Sequence, residues 1–226
     1  MRRGGGEVTS AFRAAIFDLD GVLVDSARLH FVAWKKIAEE LGVHFTEKDN
    51  EALKGVDRLG SLEHILALGA LARTPTEKDE LATRKNGYYL EALETMDASA
   101  VLPGATALLG AARDAGLALA VASASRNATT VLARAQLLDA FDFVADAGKI
   151  ARSKPAPDIF LACAEALGIA PEACVGFEDA AAGIAAIKAA GMTAIGIGDP
   201  LVLGAADRVF ATTAAVELAS VLRLAR

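Results

Sequence analysis

Two hydrophobic patterns alternate along the chain. Short, continuous apolar runs at Ala14–Phe17, 117–122 and 174–177 are typical of strands that are buried on both faces of a sheet. Between these runs, apolar residues recur at the spacing of an amphipathic helix. Strands and helices that alternate in this way predict an α/β fold with a doubly wound parallel sheet, similar to a Rossmann fold.

The second half of the chain follows this alternating order. The patterns predict helices at 105–115, 127–137, 157–167 and 180–190, and further strands at 143–145 and 193–197. Most of these helical patterns are followed by a glycine, which readily adopts the left-handed conformation common after a helix C-terminus.

Residues 26–97 contain only helical patterns. Helices are expected at 27–41 and 61–72, and a longer one from a capping-box sequence at Thr76 to about Met96. A helical insertion directly after the first strand predicts a separate cap domain. The expected parts are a disordered tail at 1–12, an α/β core at 13–25 and 98–226, and a helical cap at 26–97.

Composition limits the classes of partner. The chain has 226 residues and a net charge of -6, which argues against a nucleic-acid or anionic-membrane surface. No apolar run is long enough to cross a membrane, and the N-terminus lacks the apolar stretch of a secretory signal. The two cysteines, Cys163 and Cys174, are expected to be buried and reduced. We therefore expect a cytoplasmic monomer.

Polar residues follow four of the predicted strands, at the sheet edge where ligands of open α/β folds bind. Asp18 and Asp20 follow the first strand, Ser123 the second, Lys154 the third and the Glu178-Asp179 pair the fourth. Carboxylates suit Mg²⁺, a hydroxyl-rich turn before a helix suits phosphate oxygens, and a lysine balances the remaining charge. Because no GxxxxGK[ST] loop is present, the pattern predicts phosphoryl transfer through a carboxylate nucleophile.

Each of these residues has a structural explanation when it is taken alone. Glu178-Asp179 and Ser125 suit helix N-caps, Lys154 suits a solvated surface position, and Trp34 suits a core position. Their ordered recurrence at four strand ends is what favours a functional site.

The order of the motifs resembles the haloacid dehalogenase superfamily of phosphotransferases. The pattern consists of DxDGxxxDS at 18–26, a hydroxyl at the end of the second strand, a lone lysine and an ED pair. Further segments resemble the sugar-phosphate mutases of that superfamily: LKGVDR at 53–58, RKN at 84–86, SASRN at 123–127, SKPAPDIF at 153–160 and GFEDAAAGIAAIKAAG at 176–191.

The resemblance implies that the chain interconverts β-D-glucose 1-phosphate and β-D-glucose 6-phosphate, a sugar-phosphate isomerisation in carbohydrate metabolism. Mg²⁺ would be the cofactor, and β-glucose 1,6-bisphosphate would be both intermediate and primer. A small-molecule sugar phosphate would be the partner.

The resemblance also implies a role for each matching residue. Asp18 would be the nucleophile and Asp20 the general acid/base. The Mg²⁺ ligands would be Asp18, the backbone oxygen of Asp20, and Asp179, with Glu178 nearby. The phosphate would contact Ser123, Ala124, Lys154, Arg58, Ser125, Arg126 and Asn127. Sugar binding and cap closure would use Ser26, His30, Trp34, Lys54, Gly55, Val56, Ser61 and Lys85.

Two residues depart from the family pattern: Ser26 stands where threonine is usual, and Arg126 where lysine is usual. Two other functions remain open at this stage. A phosphatase of the same superfamily would let water discharge the phospho-aspartate, and a receiver-like regulator would use it as a signal. The acid at Asp20 and the long cap argue against the regulator, and a dehalogenase would leave Asp20 without a role.

Overall fold

The computed structural model describes residues 12–225, in which a six-stranded parallel sheet forms an α/β core and helices inserted after the first strand form a cap. The strands are β1 Ala14–Phe17, β2 Ala118–Val121, β3 Phe143–Val144, β4 Cys174–Glu178, β5 Thr193–Ile197 and β6 Arg208–Phe210. They lie in the order β3-β2-β1-β4-β5-β6. The predicted fold class is confirmed.

The helices divide between the cap and the core. The cap helices are α1 Ala27–Glu40, α2 Glu47–Glu51, α3 Arg58–Leu68 and α4 Pro75–Leu93. The core helices are α5 Ala105–Asp114, α6 Ala128–Arg134, α7 Asp158–Leu167, α8 Ala181–Ala189 and α9 Leu218–Leu222. None of the helices in residues 12–225 is long and apolar enough to cross a membrane.

Alternating side chains of β1 build two separate cores, one on each face of the sheet. Ala15 and Phe17 pack with residues of α5, α6 and α9, whereas Ala14 and Ile16 pack with residues of α7 and α8. The Phe17 ring stacks on that of Phe177 in β4, with centroids 4.7 Å apart. β1 is therefore packed on both faces up to the residue before Asp18.

The cap has a hydrophobic core of its own. Trp34 and Ile37 of α1 pack with Leu62 and Ile65 of α3 and with Leu81 of α4. Full burial of such side chains stabilises a fold by about 1.5–3 kcal/mol each. The cap helices therefore share a core of their own, while Ala33, Tyr89 and Leu93 pack them against the core of the sheet.

Some element boundaries differ from the predicted ones. The capping box predicted at Thr76 is wrong, because Thr74 and Glu77 form it and Pro75 occupies the first helical position, which proline favours. Short α2, β6 and α9 were not predicted, since few residues carry their pattern. Residues 1–11 of the predicted tail lie outside the described residues, and Phe12 is buried in the core rather than part of a tail.

Candidate active site

Parallel strand pairing gathers the predicted residues at one edge of the sheet. Phe17, the last residue of β1, is in register with Val121 of β2 and Phe177 of β4. The residues that follow these three therefore leave the sheet side by side. Asp18, Ser123 and Glu178 meet in this way although they are far apart in sequence.

Lys154 joins two of these strand ends. Its Nζ lies 2.6 Å from Asp18 Oδ1 and 2.7 Å from Glu178 Oε2, and all three side chains are buried. Burial alone would lower the pKa of Lys154, but the two carboxylates outweigh it and raise that pKa. Lys154 is therefore a fixed cation beside the Asp18 carboxylate.

Three carboxylates form a cluster that suits a divalent cation. One oxygen each from Asp18, Glu178 and Asp179 lies within 4.8 Å of the others. Burial, followed by the neighbouring Asp18 charge, raises the pKa of Glu178 to about 8 and that of Asp179 to about 7. This excess of negative charge and the all-oxygen donor set fit Mg²⁺.

The loop after β1 packs tightly against this cluster. Gly21 has a φ of +82°, and a Cβ built on it would lie 2.2 Å from Asp179 Oδ2. Only glycine fits both the backbone conformation and the space there. The close approach fixes Asp179 against the loop that carries Asp20.

Asp20 lies in a second polar group, between core and cap. Its carboxylate accepts a short hydrogen bond from Ser26, and its Oδ1 lies 4.0 Å from His30 Nε2. Burial, with the nearby Asp18 charge, raises the pKa of Asp20 to about 6. A carboxyl group with this pKa can both accept and donate a proton near neutral pH.

His30 and Lys85 form a pair on the cap side of Asp20. Lys85 Nζ lies 2.9 Å from His30 Nδ1. When Lys85 is protonated, its ammonium can only donate, so Nδ1 accepts and Nε2 carries the ring proton. Burial, followed by the charge of Lys85, holds the pKa of His30 well below its usual value. The neutral ring therefore points an N–H towards Asp20.

Aromatic rings surround the Lys85 ammonium. Its Nζ lies 4.9 Å from the Trp34 ring centroid and 4.7 Å from that of Tyr89. The Tyr89 ring also packs on His30, with centroids 4.2 Å apart. Burial, then the nearby Arg58 charge, lowers the pKa of Lys85 to about 7. The sequence reasoning missed Tyr89, although its spacing of four residues from Lys85 places both on one face of α4.

A second cationic group lies at the start of α3 and before α6. Arg58 Nη2 donates to Asn86 Oδ1 at 2.8 Å, and Asn127 Nδ2 donates to the same oxygen at 2.9 Å. Burial, followed by the charge of Arg126, lowers the pKa of Arg58, and both side chains line the same cavity. Asn86 was not among the predicted site residues, although it belongs to the RKN segment.

Two further contacts connect the cap with the core. Lys54 Nζ lies 3.6 Å from Asp179 Oδ2. The sequence predicted Lys54 to take part in cap closure and Asp179 to bind the metal ion. Ser153 donates a short hydrogen bond to Asp57, a contact that the sequence did not indicate. Asp57 also caps α3 by accepting from the Gly60 N–H at 2.7 Å. The start of α3 is therefore tied to the loop that carries Lys154.

These groups surround one cavity of about 1210 Å³ between the cap and the core. All the predicted site residues line it except Ser26, Ser123 and Glu178, which are fully buried behind its wall. Ser123 supports the wall, because its hydroxyl accepts a hydrogen bond from the Ser125 N–H at 3.1 Å. The structure thus brings together residues from the first strand, the cap and three later loops.

Comparisons with known proteins identify one family and, within it, relatives of two kinds of activity. Residues 12–191 match the family described as haloacid dehalogenase-like hydrolase. The β-phosphoglucomutase of Bacillus subtilis (strain 168) is 42% identical over 208 residues, which cover 91% of this chain and 92% of that protein. The fructose-1-phosphate phosphatase YqaB of Escherichia coli (strain K12) is 32% identical over 82% of this chain and 96% of its own length.

A solved structure shares the whole architecture. The β-phosphoglucomutase from Clostridium difficile superposes with a TM-score of 0.91 and is 39% identical, over 94% of this chain and 96% of that protein.

Proposed function

The chain belongs to the haloacid dehalogenase-like hydrolase family, and we propose that it catalyses the β-phosphoglucomutase reaction. It interconverts β-D-glucose 1-phosphate and β-D-glucose 6-phosphate through a bisphosphate intermediate. The observation that carries the proposal is that one cavity holds both a buried Asp18–Lys154 pair and a separate cationic group around Arg58. A bisphosphate intermediate needs one binding site for the phosphate that reacts and another for the phosphate that does not.

Asp18 is the nucleophile of the proposed reaction. One of its oxygens accepts a hydrogen bond from Lys154, which leaves the other oxygen for attack on phosphorus. The phospho-aspartate that forms then transfers its phosphoryl group to a sugar hydroxyl, so that the carboxylate is regenerated. Lys154 and Ala124, which line the cavity, contact the phosphoryl oxygens during both transfers, and Ser123 supports that turn from behind the wall.

Mg²⁺ belongs to the proposal as a cofactor. Asp18, the backbone oxygen of Asp20, and Asp179 would hold it, with Glu178 nearby, and the cluster described above fits that ion. When bound, it neutralises charge on the transferring phosphoryl group. The Lys154 ammonium remains the cation that the chain itself supplies to the same group.

Asp20 moves the proton. As a carboxylate it takes the proton of the attacking sugar hydroxyl, and as an acid it returns a proton to the oxygen of the departing sugar. Its pKa of about 6 suits both directions. Ser26, His30 and Lys85 set the position of Asp20, and cap closure excludes the water that would hydrolyse the phospho-aspartate.

The cap residues make this a mutase site rather than a phosphatase site. The intermediate, β-glucose 1,6-bisphosphate, presents either phosphate to Asp18 while Arg58, Ser125, Arg126 and Asn127 hold the other. Trp34, Gly55, Val56 and Ser61 contact the sugar. Arg126 keeps the charge of the usual lysine and adds a fork that suits phosphate, and Ser26 keeps the hydroxyl of the usual threonine.

A sugar-phosphate phosphatase is the second candidate. It is favoured by the relative described as a fructose-1-phosphate phosphatase, which shares the family. The two functions differ in the acceptor of the phosphoryl group, a sugar hydroxyl or water. The test is therefore a coupled assay on α- and β-glucose 1-phosphate, side by side, with bisphosphate primer and Mg²⁺. Glucose 6-phosphate from the β anomer alone supports the mutase, whereas free phosphate without glucose 6-phosphate supports the phosphatase.

Replacement of Arg58 by Ala separates the same two functions. The change removes one cationic contact to the second phosphate. Mutase activity should therefore fall far more than hydrolysis of a small aryl phosphate, which has no second phosphate. Arg73→Ala is the matched control, because Arg73 lies in the cap and, among residues 12–225, its one side-chain hydrogen bond is to the adjacent Ala72 carbonyl. Equal losses of both activities in Arg58→Ala would argue against a second phosphate site.

The domain boundaries, the cytoplasmic location and the monomeric state also belong to this proposal. Size-exclusion chromatography with light scattering tests the monomer. A mass of two chains would contradict it.

A further inference from the structure

Asn86 is the point at which three helices of the site meet. It lies on α4 of the cap, and its Oδ1 accepts from Arg58 Nη2 at 2.8 Å and from Asn127 Nδ2 at 2.9 Å. Arg58 begins α3 of the cap, and Asn127 precedes α6 of the core. One amide oxygen therefore connects the cap to the core behind Arg58 and Asn127, which line the cavity.

The Asn86 amide holds a cation without neutralising it. Within residues 12–225, neither Arg58 nor Arg126 forms an ion pair with a carboxylate. The Arg126 charge lowers the pKa of Arg58, so the two cations repel each other. A carboxylate at position 86 would cancel this positive potential, whereas a neutral oxygen fixes the guanidinium and leaves the potential available to an anion.

The donors that Asn86 holds keep free hydrogen-bonding capacity. A guanidinium has five N–H donors and an amide NH₂ has two. After their bonds to Asn86, Arg58 retains four donors and the Asn127 side chain retains one. Both residues can therefore bind phosphate oxygens while Asn86 still holds them, so the amide is able to orient the two groups rather than compete with the ligand.

We infer that Asn86 is a positioning residue for the distal phosphate, which holds Arg58 and Asn127 in one orientation and links cap closure to the presence of that phosphate. The inference rests on the proposed function and adds to it a residue and a reason for its chemistry. A preoriented donor pair loses less conformational freedom on binding, so the amide raises affinity for ligands with two phosphates and leaves ligands with one small phosphate unaffected.

The first test is direct binding. Asn86→Ala is made in an Asp18→Asn background, which cannot turn over, and the dissociation constant of β-glucose 1,6-bisphosphate is measured by calorimetry. Loss of one hydrogen bond from a charged donor and one from a neutral donor is expected to weaken binding about tenfold. The matched control is Glu91→Ala, a change at an exposed position of the same helix, which should leave the constant unchanged. An unchanged constant in Asn86→Ala would overturn the inference.

The second test separates orientation from general loss of structure. In the active protein, Asn86→Ala should raise KM for the bisphosphate about tenfold while kcat/KM for para-nitrophenyl phosphate stays within about twofold. Equal losses on both ligands would indicate only a structural role and overturn the inference. Asn86→Asp can accept both hydrogen bonds but adds a negative charge, so its bisphosphate affinity should fall further than that of Asn86→Ala. Wild-type affinity in Asn86→Asp would contradict the electrostatic argument.

The two proposals fail in different ways. If the wild-type protein binds bisphosphate, and Asn86→Ala weakens that binding, but no glucose 6-phosphate forms from the β anomer, the mutase proposal fails and the role of Asn86 stands. If glucose 6-phosphate forms but Asn86→Ala binds bisphosphate as the wild type does, the mutase proposal stands and the role of Asn86 fails.

Discussion

The ammonium of Lys154 lies 2.6 Å from Asp18 Oδ1, and both side chains are at least nine-tenths buried. The same ammonium also contacts Glu178, so one cation keeps two buried carboxylates close together. Breaking a buried ion pair by removing one partner is strongly destabilising, because the other charge is left without compensation. The pair therefore links the chemistry of the site to the stability of the core.

Lys154→Met should reduce both activity and stability. Loss of the fixed cation beside the transferring phosphoryl group is expected to lower kcat by about 10²–10³. The uncompensated carboxylates should lower the free energy of unfolding in urea by about 3–5 kcal/mol at neutral pH. Lys188→Met is the control, since Lys188 forms a half-exposed ion pair with Asp207 and should change stability by less than about 1 kcal/mol. A Lys154→Met protein as stable as this control would contradict the role of the buried pair.

Mg²⁺ should stabilise the folded chain through the carboxylate cluster. A ligand at 100 times its dissociation constant adds about 2.7 kcal/mol when it binds only the folded state, so the unfolding temperature should rise with Mg²⁺ concentration. Asp179→Asn removes one of the three clustered carboxylates and should abolish most of that rise. Asp139→Asn, at an exposed position outside the cluster, should respond as the wild type does. A full response in Asp179→Asn would place the ion elsewhere.

The sheet-edge part of the site was predictable because it depends on local rules. A buried strand places the next residue at the carboxyl edge of a parallel sheet, so Asp18, Ser123 and Glu178 could be placed together before their register was known. The motif resemblance then supplied the cap residues, and the cavity contains them.

Other contacts depend on how the cap docks, and local sequence carries no signal of that geometry. The Asp57–Ser153 hydrogen bond and the two bonds to Asn86 each join residues more than 25 positions apart. Tyr89 was missed for a different reason, since a buried tyrosine on a helix is ordinarily a core residue. Only its packing on His30 and Lys85 shows that it belongs to the site.

Lys85 should make stability depend on pH. Burial, then the charge of Arg58, lowers its pKa in the folded state to about 7, from 10.5 in a model compound. Between these values the unfolded chain binds more protons than the folded one, so stability rises with pH in that window. The free energy of unfolding of the wild type should therefore rise by about 2 kcal/mol relative to Lys85→Met between about pH 7 and about pH 9.

The measurement compares urea unfolding of the two proteins at each pH, which cancels groups that titrate in both. Lys48→Met is the control for the loss of a lysine charge, because Lys48 is exposed in the same cap. Parallel curves for the wild type and Lys85→Met would contradict the lowered pKa of Lys85.

The Tyr89 hydroxyl is buried and has no hydrogen-bond partner among residues 12–225. A buried polar group without a partner costs the folded state its desolvation free energy. Burial, followed by the nearby Asp20 charge, raises the pKa of Tyr89, so the neutral hydroxyl persists at all ordinary pH values. Tyr89→Phe removes only this group and keeps the ring contacts with His30 and Lys85, so it should stabilise the protein by about 1 kcal/mol.

Tyr88, the adjacent residue, offers a matched control in which loss of the hydroxyl should lower stability rather than raise it. The Tyr88 hydroxyl donates to Glu40, so Tyr88→Phe loses a hydrogen bond to a charged acceptor and should destabilise the protein slightly. Urea unfolding of both variants at one pH gives the comparison. A destabilised Tyr89→Phe would show that the hydroxyl has a partner in solution, such as an ordered water beside Asp20. Tyr89 would then belong to the polar group that positions the acid/base.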